Sequence, residues 1–249
     1  MKRGFFLFCF SVAALFVAGQ SDSIATSMGK IVIQPVQHAS MVISAENITI
    51  YVDPTGGAAA YKNFDRPDFI LVTDIHGDHM DPKTIDSIKG ENTFIIAPKA
   101  VAEQMNQYDT SKMKILNNGG DMEYHGITIE AVPMYNLPET ADSRHPKGRG
   151  NGYVLTIAGK RIYISGDTED IPEMRKLKNI DAAFVCMNLP YTMDIKQAAS
   201  AVLEFKPKTV YPYHFRGQGG LSDVNAFKKM VNDKNAKIDV RLLNWYPSN

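Results

Sequence analysis

The sequence predicts an α/β protein in which sheets carry helices on a face, and three observations support this. Short β-rich runs alternate with helix-like stretches from about residue 28 onward. The runs are apolar nearly throughout, the pattern of strands covered by helices. Almost every run is closed by turn residues, and several of those turns begin with an aspartate or a histidine.

Taken in chain order, the first group of strands is KIVIQPV, SMVISAE, ITIYVDP, FILVTD and TFIIAP, and the second is GITIEAVPM, GYVLTIAG, KRIYISGD, DAAFVCMNL, KTVYPYHF and VRLLN. Helices are expected over 82–89, 98–107, 171–178, 194–206 and 223–234. The fourth is the best defined. Ile195, Ala198, Ala199, Val202 and Leu203 recur at three- and four-residue steps and give one buried face. Asp194 followed by Gln197 fits a capping box. No linker-like run divides the chain, so residues 20–249 are expected to form a single domain. The one long irregular segment, 136–152, is rich in glycine, proline and charge and reads as a loop of the kind that is mobile or functional.

The chain has 249 residues, 44% hydrophobic and 22% charged, with 27 basic and 27 acidic side chains. This is ordinary globular composition. A neutral chain has no overall pull toward nucleic acid or an anionic membrane, so a small-molecule partner is expected and nucleic acid is not. Lys2 and Arg3 followed by GFFLFCFSVAALFVAG and small residues at Val17 and Gly19 have the layout of a secretory leader, residues 1–19, cleaved near Gly19. The expectation is therefore export to the periplasm or medium, with no stable membrane insertion afterwards. Cleavage would remove Cys9, and Cys186, in an apolar run, would be a buried hydrophobe with no disulfide partner.

The chemistry concentrates in LVTDIHGDHMDP, residues 71–82. Asp74, His76, Asp78 and His79 fall on six positions at the end of a strand and the start of a helix that opens near Asp81 or Pro82. Gly77 lets the backbone turn sharply between them. Two close groups of nitrogen and oxygen donors suit a pair of divalent metals. Asp53, Asp167 and His214 each close a further apolar strand, which repeats the same arrangement.

On these motifs the chain resembles the metallo-β-lactamase-fold hydrolases, in particular the branch like L-ascorbate-6-phosphate lactonase, over about residues 29–245. DIHGDH stands where that family has H-x-H-x-D-H, SGDTED carries its bridging aspartate at Asp167, and QHAS stands for its GHAS. The resemblance implies a four-layer αββα sandwich with the site at one edge of the sheets. It also implies two divalent ions, zinc first with manganese or iron as alternatives. Asp74, His76 and His145 would hold one, Asp78, His79 and His214 the other, and Asp167 would bridge them. His38 and Asp53 would stand behind these ligands. Two departures matter: Asp74 replaces a histidine, and Asn136 sits where the third-motif histidine often falls, which shifts that role to His145.

The implied activity is hydrolysis of a small ester, lactone or phosphodiester by hydroxide, since a metal lowers the pKa of bound water to about 7. Asp78 and His145 are the candidate catalytic residues, with Asp78 orienting the water. Arg144, Lys147 and Arg149 in the 136–152 loop are candidates for holding an anionic substrate. Tyr135, Tyr191 and Tyr213 are candidate donors to a leaving group. The competing expectations are a nuclease-type or other phosphodiesterase member, and a metal-binding member with reduced or no activity.

Overall fold

The structure, a computed structural model, describes residues 20–106 and 111–246. The first sheet has seven strands in chain order: β1 (Asp22–Thr26), β2 (Gly29–Gln37), β3 (Ser40–Ala45), β4 (Ile48–Val52), β5 (Phe69–Leu71), β6 (Phe94–Ala97) and β7 (Met113–Ile115). The second holds β8 (Asp121–Tyr124), β9 (Ile127–Met134), β10 (Gly150–Ile157), β11 (Lys160–Ile164), β12 (Ala182–Cys186) and β13 (Thr209–Tyr213). Beyond β13, the short hairpin β14 (Arg216–Gly217) and β15 (Gly220–Leu221) precedes β16 (Asp239–Val240), which closes the second sheet beside β13.

The helices are α1 (Pro82–Ile88), α2 (Lys99–Gln104), α3 (Pro172–Arg175), α4 (Ile195–Phe205) and α5 (Val224–Lys234), each within the span expected from sequence. α1 starts where Asp81 accepts from the Lys83 and Thr84 amides and Pro82 fills the first turn. α4 starts in the Asp194–Gln197 capping box.

Burial on both strand faces makes the layers. In β3 and β5, Met41, Ile43, Phe69 and Leu71 enter the core shared with the second sheet, where they join Ile129, Tyr153, Leu155 and Phe184. Their neighbours Val42 and Ile70 turn outward onto Ile85, Ile88 and Val101 of α1 and α2. Ala198, Ala201 and Val202 of α4 cover the second sheet from its far side. The result is the αββα sandwich implied by the resemblance.

The two sheets come closest at one edge. Tyr153 Oη donates to Val72 O (2.9 Å), and the Asn151 amide donates to Thr73 O (2.9 Å). Glycine is required there: a Cβ on Gly150 would stand 2.8 Å from Thr73 O of the other sheet, and within the second sheet one on Gly152 would stand 2.8 Å from Ser165 O. At this edge the parallel strands β4, β5, β11, β12 and β13 end.

Candidate metal centre

Asp53 follows β4 and is fully buried. Its carboxylate accepts from the Thr73 amide (2.7 Å), Thr73 Oγ1 (2.7 Å) and His79 Nδ1 (2.8 Å). With Nδ1 engaged, Nε2 of His79 faces inward, 3.0 Å from His214 Nε2 and 3.3 Å from Asp167 Oδ2. His214 Nε2 lies 3.1 Å from Asp167 Oδ1 and 3.5 Å from Asp78 Oδ2. Asp53 (φ 45°), His214 (φ 47°) and His38 (φ 53°) all hold left-handed backbone conformations, which carry strain for residues other than glycine and cluster at functional sites.

Burial and charge oppose each other across this cluster of carboxylates and imidazoles. Burial pushes the Asp167 carboxyl up, but the facing charges of His214 and His79 outweigh it and hold the group well below the usual carboxylate range. Burial pulls His79 down, and Asp167 and Asp53 together lift it well above the ordinary imidazole value. For His214 burial prevails and the ring lies below that value.

The second cluster lies on the other side of Asp167. His145 is completely buried, although it comes from the irregular loop, and its Nε2 stands 3.2 Å from Asp167 Oδ2 and 3.9 Å from Asp74 Oδ2. His76 Nδ1 is 2.6 Å from Asp74 Oδ2. Asn136 positions His145: its Oδ1 accepts from the His145 amide (2.8 Å) and lies 3.1 Å from His145 Nδ1. Asp74 is also gripped by Arg149, Nε to Oδ1 at 3.2 Å and Nη2 to Oδ2 at 3.1 Å. Burial raises the Asp74 carboxyl, but the His76 hydrogen bond and the charges of His79, His76 and Arg149 bring it down to about 2.

All seven expected ligands thus meet at one edge, with Asp167 between the two groups. The second-layer expectations are also placed there. Asp53 backs His79, and His38 lies 3.3 Å through Nε2 from Asp78 Oδ2 and 2.9 Å through Nδ1 from Tyr246 Oη. The loop cations are placed differently from one another. Lys147 sits between Glu139 and Glu173 (3.4 Å each), Arg144 lies over the Tyr191 ring (4.5 Å), and Arg149 is engaged by Asp74. Of the tyrosines, Tyr213 Oη accepts from the Gly166 amide and Tyr135 Oη donates to Glu173. Cys186 is buried in β12 and its thiol is pushed up to about 11 by burial.

Several site residues carry no sequence motif. Thr73 ties Asp53 to His79, and Asn188 Nδ2 lies 3.1 Å from His214 Nε2. Asn188 ends the apolar run of β12 as His214 ends β13, and that position was its only signal. A cleft of about 400 Å³ opens beside Asp78, lined by His38, Thr55, Gly77, Arg216 and Tyr246. Arg216 lies 4.1 Å over the Tyr246 ring and has no carboxylate partner among the described residues.

The residues fit a metal ion on two grounds. Donors about 2.0–2.1 Å from a tetrahedral ion stand about 3.3 Å apart, and the contacts among His79, Asp167 and His214 run from 3.0 to 3.3 Å, with Asp78 3.5 Å from His214. In addition, His145 Nε2 and Asp167 Oδ1 are buried without a hydrogen bond, a costly condition for polar atoms that a cation would relieve.

A two-sheet sandwich with histidines and aspartates converging at its edge defines a metal-dependent hydrolase scaffold. The family model for the beta-lactamase superfamily domain matches residues 32–214, and the chain belongs to that superfamily. A UPF0173 metal-dependent hydrolase from Pyrococcus abyssi is 34% identical over 216 residues, 82% of this chain and 92% of that protein. Among solved structures, a Parabacteroides distasonis protein designated a metal-dependent hydrolase is 41% identical, covers 90% of this chain and 98% of its own, and superposes with a TM-score of 0.80. Igni18, a metallo hydrolase from Ignicoccus hospitalis, shares the fold with a TM-score of 0.73 at 21% identity, over 87% of this chain and 96% of its own. The protein is a metal-dependent hydrolase of this superfamily.

These matches do not single out the L-ascorbate-6-phosphate lactonase-like branch. They also correct the expectation of a signal peptide and secretion. The relatives from Pyrococcus abyssi, Thermococcus onnurineus and Pyrococcus horikoshii are archaeal proteins named only as metal-dependent hydrolases, and they indicate neither. Residues 1–19, on which that expectation rested, lie outside the described residues. Among the described residues no helix is long and apolar enough to cross a membrane.

Proposed function

We propose that the protein hydrolyses a small anionic ester, lactone or phosphodiester at a centre of two divalent metals, zinc first. The observation that carries this is the meeting of His79, Asp167 and His214 at coordination spacing, with Asp78 reaching His214 and lining the adjacent cleft. A divalent ion bound there supplies a water of lowered pKa and a Lewis acid for the carbonyl or phosphoryl oxygen.

The chain's own groups supply the rest. His79 is held by Asp53 in one orientation, as metal-binding histidines usually are. Asp78 has a side chain 37% exposed, so it can both touch the cluster and accept a hydrogen bond from water at the cleft. Arg216, on the cleft wall beside Tyr246, is the cation that would meet an anionic group of the substrate. The chain's charge balance of 27 against 27 supports a small molecule over nucleic acid.

The test combines elemental analysis of protein purified without chelators with turnover of a panel of lactones, aryl esters and bis(p-nitrophenyl) phosphate. Metal is expected, with turnover in at least one class, and His79→Ala should lower both. A metal-loaded sample that turns over none of the three classes would leave a binding protein without hydrolytic activity, the alternative that the Asp74–Arg149 pair favours.

A further inference from the structure

The two ligand clusters differ in what already holds their carboxylates. Around His79, His214 and Asp167, Oδ1 of Asp167 has no hydrogen bond, and the donor spacings are those of a coordination shell. Around His76 and His145, Asp74 is spoken for. Its Oδ2 is approached by His76 Nδ1 at 2.6 Å and Arg149 Nη2 at 3.1 Å, and its Oδ1 by Arg149 Nε at 3.2 Å. A spacing of 2.6 Å is that of a charge-assisted hydrogen bond, well short of the separation between two ligands of one ion. The Asp74 side chain is 0% exposed and that of Arg149 is 19% exposed, so solvent screens this pair poorly.

We propose that Arg149 is a resident cation that makes the two metal positions unequal, so that a divalent ion enters the Asp74–His76–His145 position last and at least tenfold more weakly than the His79–Asp167–His214 position. An oxygen of Asp74 that already serves a guanidinium is a poorer donor to a second cation, and the fixed positive charge beside it repels an incoming dication. The fork geometry is specific to arginine, since a lysine in its place would keep the charge but lose the paired hydrogen bonds. The position where this chain departs from H-x-H-x-D-H is thus paired with an arginine 75 residues later. The inference rests on the metal-centre reading but not on turnover.

The test is metal titration of the whole protein after chelator dialysis, with Co²⁺ followed by its visible absorption and Zn²⁺ by competition with a chromophoric chelator. Wild type should show two steps at least tenfold apart. Asp74→Asn should abolish the weak step and keep the tight one. Arg149→Gln should tighten the weak step at least tenfold and leave the tight one unchanged, which also reports that the variant is folded. Arg149→Lys should fall between wild type and Arg149→Gln, and it decides the matter if the glutamine variant fails to fold. Coincident steps in wild type overturn the proposal. So does a weak step that is unchanged or weaker in the arginine variants, because Arg149 would then support Asp74 as a ligand. Absence of any binding would overturn the metal centre itself, whereas two bound ions without turnover would overturn only the hydrolase activity proposed above.

Discussion

The two sheets are built alike and used differently. Each has seven strands with three antiparallel pairings followed by three parallel ones. In each, the fourth strand is followed by an aspartate at the shared edge, Asp53 after β4 and Asp167 after β11. Asp53 accepts three hydrogen bonds from Thr73 and His79 and has nothing left to give, whereas Asp167 has an oxygen with none. Topology therefore fixes where ligands can stand, at the C-terminal ends of parallel strands. The neighbours decide which carboxylate holds a histidine in place and which faces a cation.

The widest split between the halves is expected from paired substitutions. Asp167→Ala removes the group that faces both clusters, and bound metal should fall to well below one ion per chain with loss of turnover. Asp53→Asn keeps the shape and tolerates the left-handed backbone, but it removes the charge that orients His79. Metal affinity at the His79 position should weaken by roughly 10–100-fold, the usual effect of losing such a partner, and the protein should remain folded. Elemental analysis and chelator competition measure both. Equal losses in the two variants would mean that Asp53 and Asp167 do not differ in role.

Much of this comparison was legible in the sequence, and the limits have physical causes. The apolar runs marked β2 to β6 and β9 to β13, because strands buried on two faces must be apolar. β1, β7, β8 and the hairpin β14–β15 were missed: DSIAT, MKI, DMEY and the two-residue strands of the hairpin are short and carry exposed positions, and pairing with a neighbour defines them more than their own composition does. In the site, lone aspartates and histidines at strand ends stood out against apolar surroundings. Thr73 and Asn188 did not, and Asn136 was noticed only as a departure from the family motif, because their role is to bond a ligand brought near by folding. Arg149 was read as a candidate for an anionic substrate because its partner, Asp74, lies 75 residues away in the chain.

A smaller effect should come from the close contact between β10 and β11 within the second sheet. A Cβ on Gly152 would stand 2.8 Å from Ser165 O and 2.9 Å from Ile164 O, both backbone atoms that cannot swing aside. Gly152→Ala is expected to cost about 1–3 kcal/mol, as overpacking generally does, and to lower Tm by about 2–4 °C per kcal/mol for a chain of this size. Because Ser165 leads directly to Asp167, metal affinity should fall with Tm. A Tm loss with unchanged metal binding would show that this contact supports the second sheet without setting the ligand positions.

The least costly link between the sheets lies at the opposite edge, where Asp22 of β1 accepts from Arg241 (3.0 Å) and from Tyr211 Oη of β13 (2.9 Å). Burial raises the Asp22 carboxyl, but the Arg241, Ser23 and Tyr211 hydrogen bonds outweigh it and leave the group below its ordinary value. A carboxyl depressed in the folded state adds stability above the unfolded value of about 3.9 and loses it as pH falls through the folded value. Because the Asp22 side chain is 23% exposed and that of Arg241 36%, solvent screening limits the contribution, and about 1 kcal/mol is the ceiling for such a pair. Asp22→Asn should therefore lower Tm by a few degrees at most near neutral pH, and the gap from wild type should close as pH falls below the unfolded value and through the lowered folded one. Metal content should stay the same throughout, since this link joins the same two sheets as the metal centre without touching any ligand. A loss of metal in Asp22→Asn would mean that the sheets transmit strain from one edge to the other.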